Sequence, residues 1–297
     1  SVSSALALEA LAYGDLSLAM SISIPLLTAQ IIAEHGSEEQ KGKLLPEFVA
    51  GSIFQVGLGI NNALISTDSY QSSVTAKELG EEIILDGSKA GVAFANDAKS
   101  FLISASNESG ECGLYFVNKD QEGLELEEKE FMGLKGTPFS QINFSNCKIS
   151  CSQKLGGHNY SINYQSLIDS SRIGMSALAL GVCQAVLDYV VPYTNERVAF
   201  DEPISNRQSV AFLIADMAIE TEALRLMVYK SAALKDLDED FHKQASLTYR
   251  FATHHGMKIG TDGVQLLGGH GYTHEHPVEL WYRNLRAIGI FEGGAGV

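Results

Sequence analysis

Glu292 stands between Phe291 and Gly293-Gly294, downstream of the turn Gln265-Leu266-Leu267-Gly268-Gly269-His270-Gly271-Tyr272. A carboxylate flanked by glycines suits a general base, and a Gly-Gly turn lets backbone approach a ligand closely. Earlier, Asn195-Glu196-Arg197-Val198-Ala199-Phe200, followed by Pro203-Ile204 and Gln208, offers a planar guanidinium fork for phosphate and an aromatic face for a flat ring. Taken singly, Arg197 reads as a solvated helix-end charge and Glu292 as a surface acid beside a glycine-rich end. The spacing of Arg197 to Phe200, Pro203 and Gln208, in a chain that also has the 265–272 turn, reverses the first reading; the second turns on that turn together with Tyr282-Arg283-Asn284 and their spacing to Glu292.

Three segments must position these groups. Residues 1 to about 50 are rich in Ala, Leu and Met, and Ser37-Glu38-Glu39-Gln40 has the form of a capping box that opens a helix toward Phe48. The apolar stretch Leu16 to Ala33 reads as a buried helix pair, or one helix broken near Pro25, because it lacks the basic flank of a membrane anchor. From Gln55 to Cys151, short apolar runs (Ile83-Ile84-Leu85, Phe101-Leu102-Ile103, Leu114-Tyr115-Phe116-Val117) alternate with Asp86-Gly87, Glu108-Ser109-Gly110 and Glu122-Gly123. That pattern predicts an antiparallel β domain, a barrel or sandwich. Beyond Leu155 the helical period returns in three long amphipathic segments, and Pro277 to Ile288 supplies a fourth. The expected division is 1–54, 55–153 and 154–297.

Composition removes several classes. With 297 residues and 45% hydrophobic content the chain can bury a core of enzyme size, and a formal charge of -15 excludes a nucleic-acid footprint. Cys112, Cys147, Cys151 and Cys183 are scattered, as expected of reduced thiols in a cytoplasmic protein. No metal is expected, since Gly271 and Pro277 keep His270, His274 and His276 from stacking on one helix. The Gly268-Gly269 turn has no strand before it, which argues against a Rossmann site.

The order and spacing of these motifs, from about Ala5 to Gly293, resemble the acyl-CoA dehydrogenase family. The resemblance implies an α+β fold of N-terminal helices, a middle antiparallel β-barrel and a C-terminal four-helix bundle. With the 265–272 turn and Tyr282-Arg283-Asn284 at matching spacing, it implies that Glu292 is the catalytic base and that Gly293 offers its backbone N–H to a thioester carbonyl. Asp169-Ser170-Ser171-Arg172 is similar to the family's D-x-x-R, which makes Asp169 and Arg172 substrate-binding together with Thr67. Ser171 stands where some members carry the base on this earlier helix. FAD is the implied cofactor, touched by Arg197, Phe200, Gln208, Gln265, Leu266, Leu267, Gly268, Gly269, Asn61, Thr67, Ala93 and Gly294, with Arg197 reaching from a neighbouring subunit.

The middle segment departs from the family pattern. Asn61-Asn62-Ala63-Leu64-Ile65-Ser66-Thr67-Asp68 stands in place of T-E-P-x-A-G-S-D, and Gly91-Val92-Ala93 in place of the W-[IS]-[TS] strand that covers the flavin. Backbone N–H groups remain to serve the cofactor there. The implied reaction is α,β-desaturation of an acyl-CoA, with electrons leaving to an electron-transfer flavoprotein or similar acceptor. The implied assembly is a homo-oligomer, dimer or tetramer, or else a heteromer. Two other readings stay open: a non-catalytic structural subunit of the same fold, and an acyl-CoA oxidase. Because Ser1 runs straight into an apolar helix, a fragment or a shortened member is expected.

Overall fold

The computed structural model describes residues 1–49, 55–62, 70–157 and 160–291. Helix α1 (Val2–Gly14) stops where Asp15 turns to φ -160°, and the Asp15 side chain then caps α2 (Leu16–His35) by accepting from the backbone N–H of Leu18. The helix break therefore falls at Asp15 and not near Pro25, which α2 carries within its length. Residues such as Met20, Ile24, Leu27 and Ile31 are buried on both sides of the proline, and their packing outweighs its missing N–H. Helix α3 (Glu38–Val49) starts with both halves of the Ser37/Gln40 capping box formed.

The middle segment contains β1 (Val56–Gly59), β2 (Val74–Leu79), β3 (Glu82–Ala93), β4 (Ser100–Ser106), β5 (Cys112–Asn118), β6 (Leu124–Lys129) and β7 (Phe139–Ser150). They form one seven-stranded sheet in the order β1-β4-β2-β3-β7-β6, with β5 beside β4. The pairing is antiparallel except that β1 runs parallel to β4 and meets no hairpin partner, and β2 touches β4 in parallel at Thr75. The sheet is thus mixed, because β1 follows the N-terminal helices and not a tight turn. Phe101, Ile103, Val117 and Ile142 pack together inside it as a core of their own.

Four α-helices follow among the described residues: α4 (Tyr164–Glu196), α5 (Gln208–Asp236), α6 (His242–Leu267) and α7 (Val278–Ile288). A two-residue hairpin, β8 (Val198–Ala199) with β9 (Glu202–Pro203), links α4 to α5. Helices α2 and α4 are each long and apolar enough to cross a membrane, yet 61% and 78% of those apolar windows are buried inside the fold, the environment of core helices.

One buried charge ties β1 and β3 together. Lys89 is fully buried, and its Nζ donates to the Ile60 carbonyl at 3.3 Å and to Asn62 Oδ1 at 2.9 Å. Burial lowers its pKa from 10.5 to about 7. Between those values the unfolded chain holds the proton that the folded chain has lost, so stability rises with pH across that window. Urea unfolding from pH 7 toward about 8.5, below the ordinary thiol range, should therefore show rising stability, by at most ~1.4 kcal/mol per pH unit from this residue. Lys89→Met should flatten that slope.

Candidate functional site

Asp169 lies one turn into α4 and is 1% exposed, so its charge must be met by protein groups. Its Oδ1 accepts from the Tyr70 hydroxyl at 2.9 Å and from Arg172 Nη1 at 3.3 Å, while Oδ2 lies 2.7 Å from His242 Nδ1. Arg172 also donates to Tyr70 Oη and, at 2.9 Å, to Ser246 Oγ. Its guanidinium sits 4.8 Å from the Tyr70 ring centroid and 6.0 Å from that of Tyr249. Burial, the largest cause, raises the Tyr70 phenol above its ordinary value, so the group stays protonated and donates to the carboxylate.

Two helix starts and the segment around Tyr70 thus converge on one ion pair, beside a hollow of about 220 Å³ lined by Asp169, Asp240 and His242. Tyr249 extends the cluster toward the C-terminal turn, since its hydroxyl donates to the Ile288 carbonyl at 2.8 Å. The spacing of Asp169 and Arg172 was visible in the sequence. Tyr70, His242, Ser246 and Tyr249 carried no signal there, because they come from separate elements that meet only on folding.

A second group gathers at the end of β3. Gly91 has φ +63°, and the register between β3 and β7 shifts between Lys89 and Val92, leaving one extra residue on β3. Ala93 pairs with Phe139 across the ladder. Phe291 stacks on Phe139 at 4.6 Å and lies against Gly91. Asn61 accepts from the Ala90 N–H through its backbone, while its buried side-chain Oδ1 has no hydrogen-bond partner among the described residues.

The third group is remote from both. Arg197, Phe200 and Gln208 are exposed at the far end of α4 and the start of α5, with Phe200 87% exposed at φ +57°. Gln265, Gly268 and Gly269 are exposed at the same end, whereas the side chains of Leu266 and Leu267 belong to the helical core. Gly268 adopts φ +57° and ψ -131°, a backbone that only glycine takes easily, and a Cβ on it or on Gly269 would meet nothing within 4 Å among the described residues. Tyr193 joins this end together: its hydroxyl lies 2.9 Å from His270 Nδ1.

Ile60, next to Asn61, accepts from the Tyr164 hydroxyl at 3.4 Å, at the first residue of α4. Arg197 follows its last residue, and 33 helical residues span about 50 Å. Thr67, Glu292, Gly293 and Gly294 lie outside the described residues. Among the described residues no group of three or more His, Cys, Asp or Glu side chains is placed to hold a metal ion.

Residues 162–297 match the model of the acyl-CoA dehydrogenase C-terminal domain, and residues 1–52 that of the acyl-CoA dehydrogenase N-terminal domain. The rat mitochondrial short/branched chain specific acyl-CoA dehydrogenase is 32% identical over 302 residues, covering 99% of this chain and 69% of the relative. The solved butyryl-CoA dehydrogenase from Megasphaera elsdenii superposes with a TM-score of 0.83 at 29% identity, over 97% of this chain and 77% of that one. A glutaryl-CoA dehydrogenase from Mycobacterium smegmatis in complex with FADH2 gives 0.86 at 25% identity, over 97% and 75%.

For the ion-pair cluster, Asp169→Ala should cost about 3–5 kcal/mol by leaving Arg172 without its buried carboxylate. Tyr70→Phe, which removes one hydroxyl, should cost about 1 kcal/mol. Urea unfolding of the two variants beside the parent protein measures both.

Proposed function

The chain belongs to the acyl-CoA dehydrogenase family, whose members are flavin-dependent oxidoreductases of acyl-CoA metabolism, and we propose that it desaturates an acyl-CoA thioester with Glu292 as the base. The observation that carries this reading is the Asp169–Arg172 cluster, joined through Tyr249 to the turn that leads into residue 292. An α-hydrogen beside a thioester is weakly acidic, so its removal requires a carboxylate on one side and positive charge or N–H donors toward the carbonyl. In this reading Glu292 takes the proton, the Gly293 N–H serves as a donor for the carbonyl oxygen, and the Arg172 guanidinium, held by Asp169, Ser246 and Tyr70, adds positive charge.

No side chain accepts a hydride, and FAD, when bound, supplies the acceptor for the one that leaves the β-carbon. The residues present suit that cofactor. Asn61 Oδ1, buried and with no hydrogen-bond partner among the described residues, is an acceptor that the N–H of a flavin ring edge can meet. The open space above Gly268 and Gly269 and the exposed Arg197 fork suit a pyrophosphate. Tyr164, whose hydroxyl reaches the carbonyl of Ile60 beside Asn61, and Arg197 stand about 50 Å apart along α4, so Asn61 and Arg197 lie at opposite ends of the bundle. We therefore propose that the site is composite: Asn61, Ala93 and Glu292 of one chain act with Arg197, Phe200, Gln208 and the 265–269 turn of a second copy. An electron-transfer flavoprotein is the proposed acceptor.

The decisive experiment is to titrate the FAD-loaded protein with a panel of acyl-CoAs and record its visible spectrum. One acyl-CoA should bleach the flavin band, and Glu292→Gln should abolish bleaching while leaving the yellow colour. A protein that takes up no FAD would support the structural-subunit reading instead. Arg197→Ala should weaken FAD binding. Mixing it with Glu292→Gln under subunit exchange should restore bleaching in part, because one mixed site then carries both intact residues; no recovery would refute the composite site.

A further inference from the structure

Gly91 and Phe291 fit each other more closely than a core contact requires. A Cβ built on Gly91 would stand 2.4 Å from Cε1 and 2.7 Å from Cδ1 of the Phe291 ring, distances that no real side chain tolerates. The backbone imposes the same restriction separately, since φ is +63° at this bulge. Phe291 is 1% exposed, stacked on Phe139 at 4.6 Å and 15° and met edge-on by Phe131 at 5.2 Å. Phe131 also meets Phe139 edge-on at 5.5 Å, closing a three-ring cluster.

The ring has a tight tether. Beyond α7, the N–H groups of Ile290 and Phe291 both return to the Ala287 carbonyl, at 2.9 and 3.1 Å. Helix α7 is itself pinned to the middle segment: the Leu134 N–H donates to Asn284 Oδ1 at 2.8 Å, and Arg283 Nη1 to the Met132 carbonyl at 2.9 Å. The chain therefore leaves Phe291 toward residue 292 from a point fixed in three directions, by α7, by the Phe131–Phe139 pair and by the bare backbone of Gly91. The family pattern has a tryptophan at the position of Gly91, and an indole there would take the volume that Phe291 fills.

We propose that Phe291 is a positioning residue: keyed into the β3 bulge at Gly91, its ring registers the following residue, Glu292, against the end of β3. This rests on the reading of Glu292 as the base. In such an arrangement Gly91 is the socket required by the ring, and its lack of a side chain is the complement of Phe291, not a loss. A base displaced by an ångström costs on the order of 100-fold in rate without altering how the rest of the substrate binds.

The test uses Phe291→Ala, Phe291→Leu, Gly91→Ala and the Gly91→Ala/Phe291→Ala pair, each loaded with FAD. Phe291→Ala and Gly91→Ala should each slow single-turnover bleaching by about 10- to 100-fold, and in Phe291→Ala the FAD affinity and the acyl-CoA binding constant should stay within about twofold of the parent. Phe291→Leu, which retains much of the volume and guards against a folding failure, should recover part of the rate. The pair should be no slower than the worse single variant, because both changes break one contact. Hydrogen exchange supplies a readout independent of turnover: the Ile290 and Phe291 amides should exchange faster in either single variant while core amides of α4 keep their protection. Parent rates in both Phe291 variants, losses that multiply in the pair, or exchange that rises uniformly through the chain would each overturn the proposal. Failure of the parent protein to bleach would instead refute the reading of Glu292, while the exchange data still report on the Gly91 socket.

Discussion

A carboxylate buried to 1% exposure is tolerable only if protein groups replace the water it has lost, and at Asp169 that requirement organises the centre of the molecule. One oxygen is shared by Tyr70 and Arg172 and the other faces His242, so α4, α6 and the end of the segment before β2 must meet there. The cation this carboxylate holds is itself stacked between two tyrosines, and one of them reaches the carbonyl of Ile288 at the end of α7. The same interaction that satisfies a buried charge thus brings the helical bundle into contact with the segment that leads to the proposed base. Its net worth to stability is small relative to the cost of breaking it, as for buried ion pairs generally.

The length of α4 sets a second constraint. Its 33 residues carry the Asp169 cluster near one end and deliver Arg197 beyond the other. Antiparallel packing of α5 and α6 brings Gln208 and the Gly268-Gly269 turn to the Arg197 end, where Tyr193 and His270 hold the two helix ends together. The proposed phosphate-binding residues thus stand at the opposite end of the bundle from the Asp169 cluster. The proposed composite site follows from this separation, with each copy lending its far end to the other. Phe200, 87% exposed with the Arg207 guanidinium 4.9 Å from its ring centroid, stands at that same end.

Much of the framework was legible along the chain. The Ser37/Gln40 capping box, the 3.6-residue period of α4 to α6 and the turn-punctuated strands each depend on neighbours within a few residues, and the structure contains all three. The parallel placement of β1 and the passage of α2 through Pro25 were not legible, because distant packing decides them against local preference. At the site, Asp169 and Arg172 are three residues apart and readable as a pair. Tyr70, 99 residues from Asp169, and His242, 73 residues away, are not.

Gly91 shows the same division at one position. Compared with a family pattern that has tryptophan there, the sequence registers only a missing side chain. The fold brings Phe291 across 200 residues into that space. What the sequence by itself determined is the set of elements, their order, and the groups able to hold phosphate or remove a proton, since these follow from local propensity and side-chain chemistry. Only the tertiary structure decided which partners satisfy the buried Asp169, which ring fills the space at Gly91, and that Arg197, Gln208 and the Gly268-Gly269 turn gather at the opposite end of the bundle from the Asp169 cluster. These depend on close packing and on the cost of unpaired buried polar groups, which couple residues far apart along the chain.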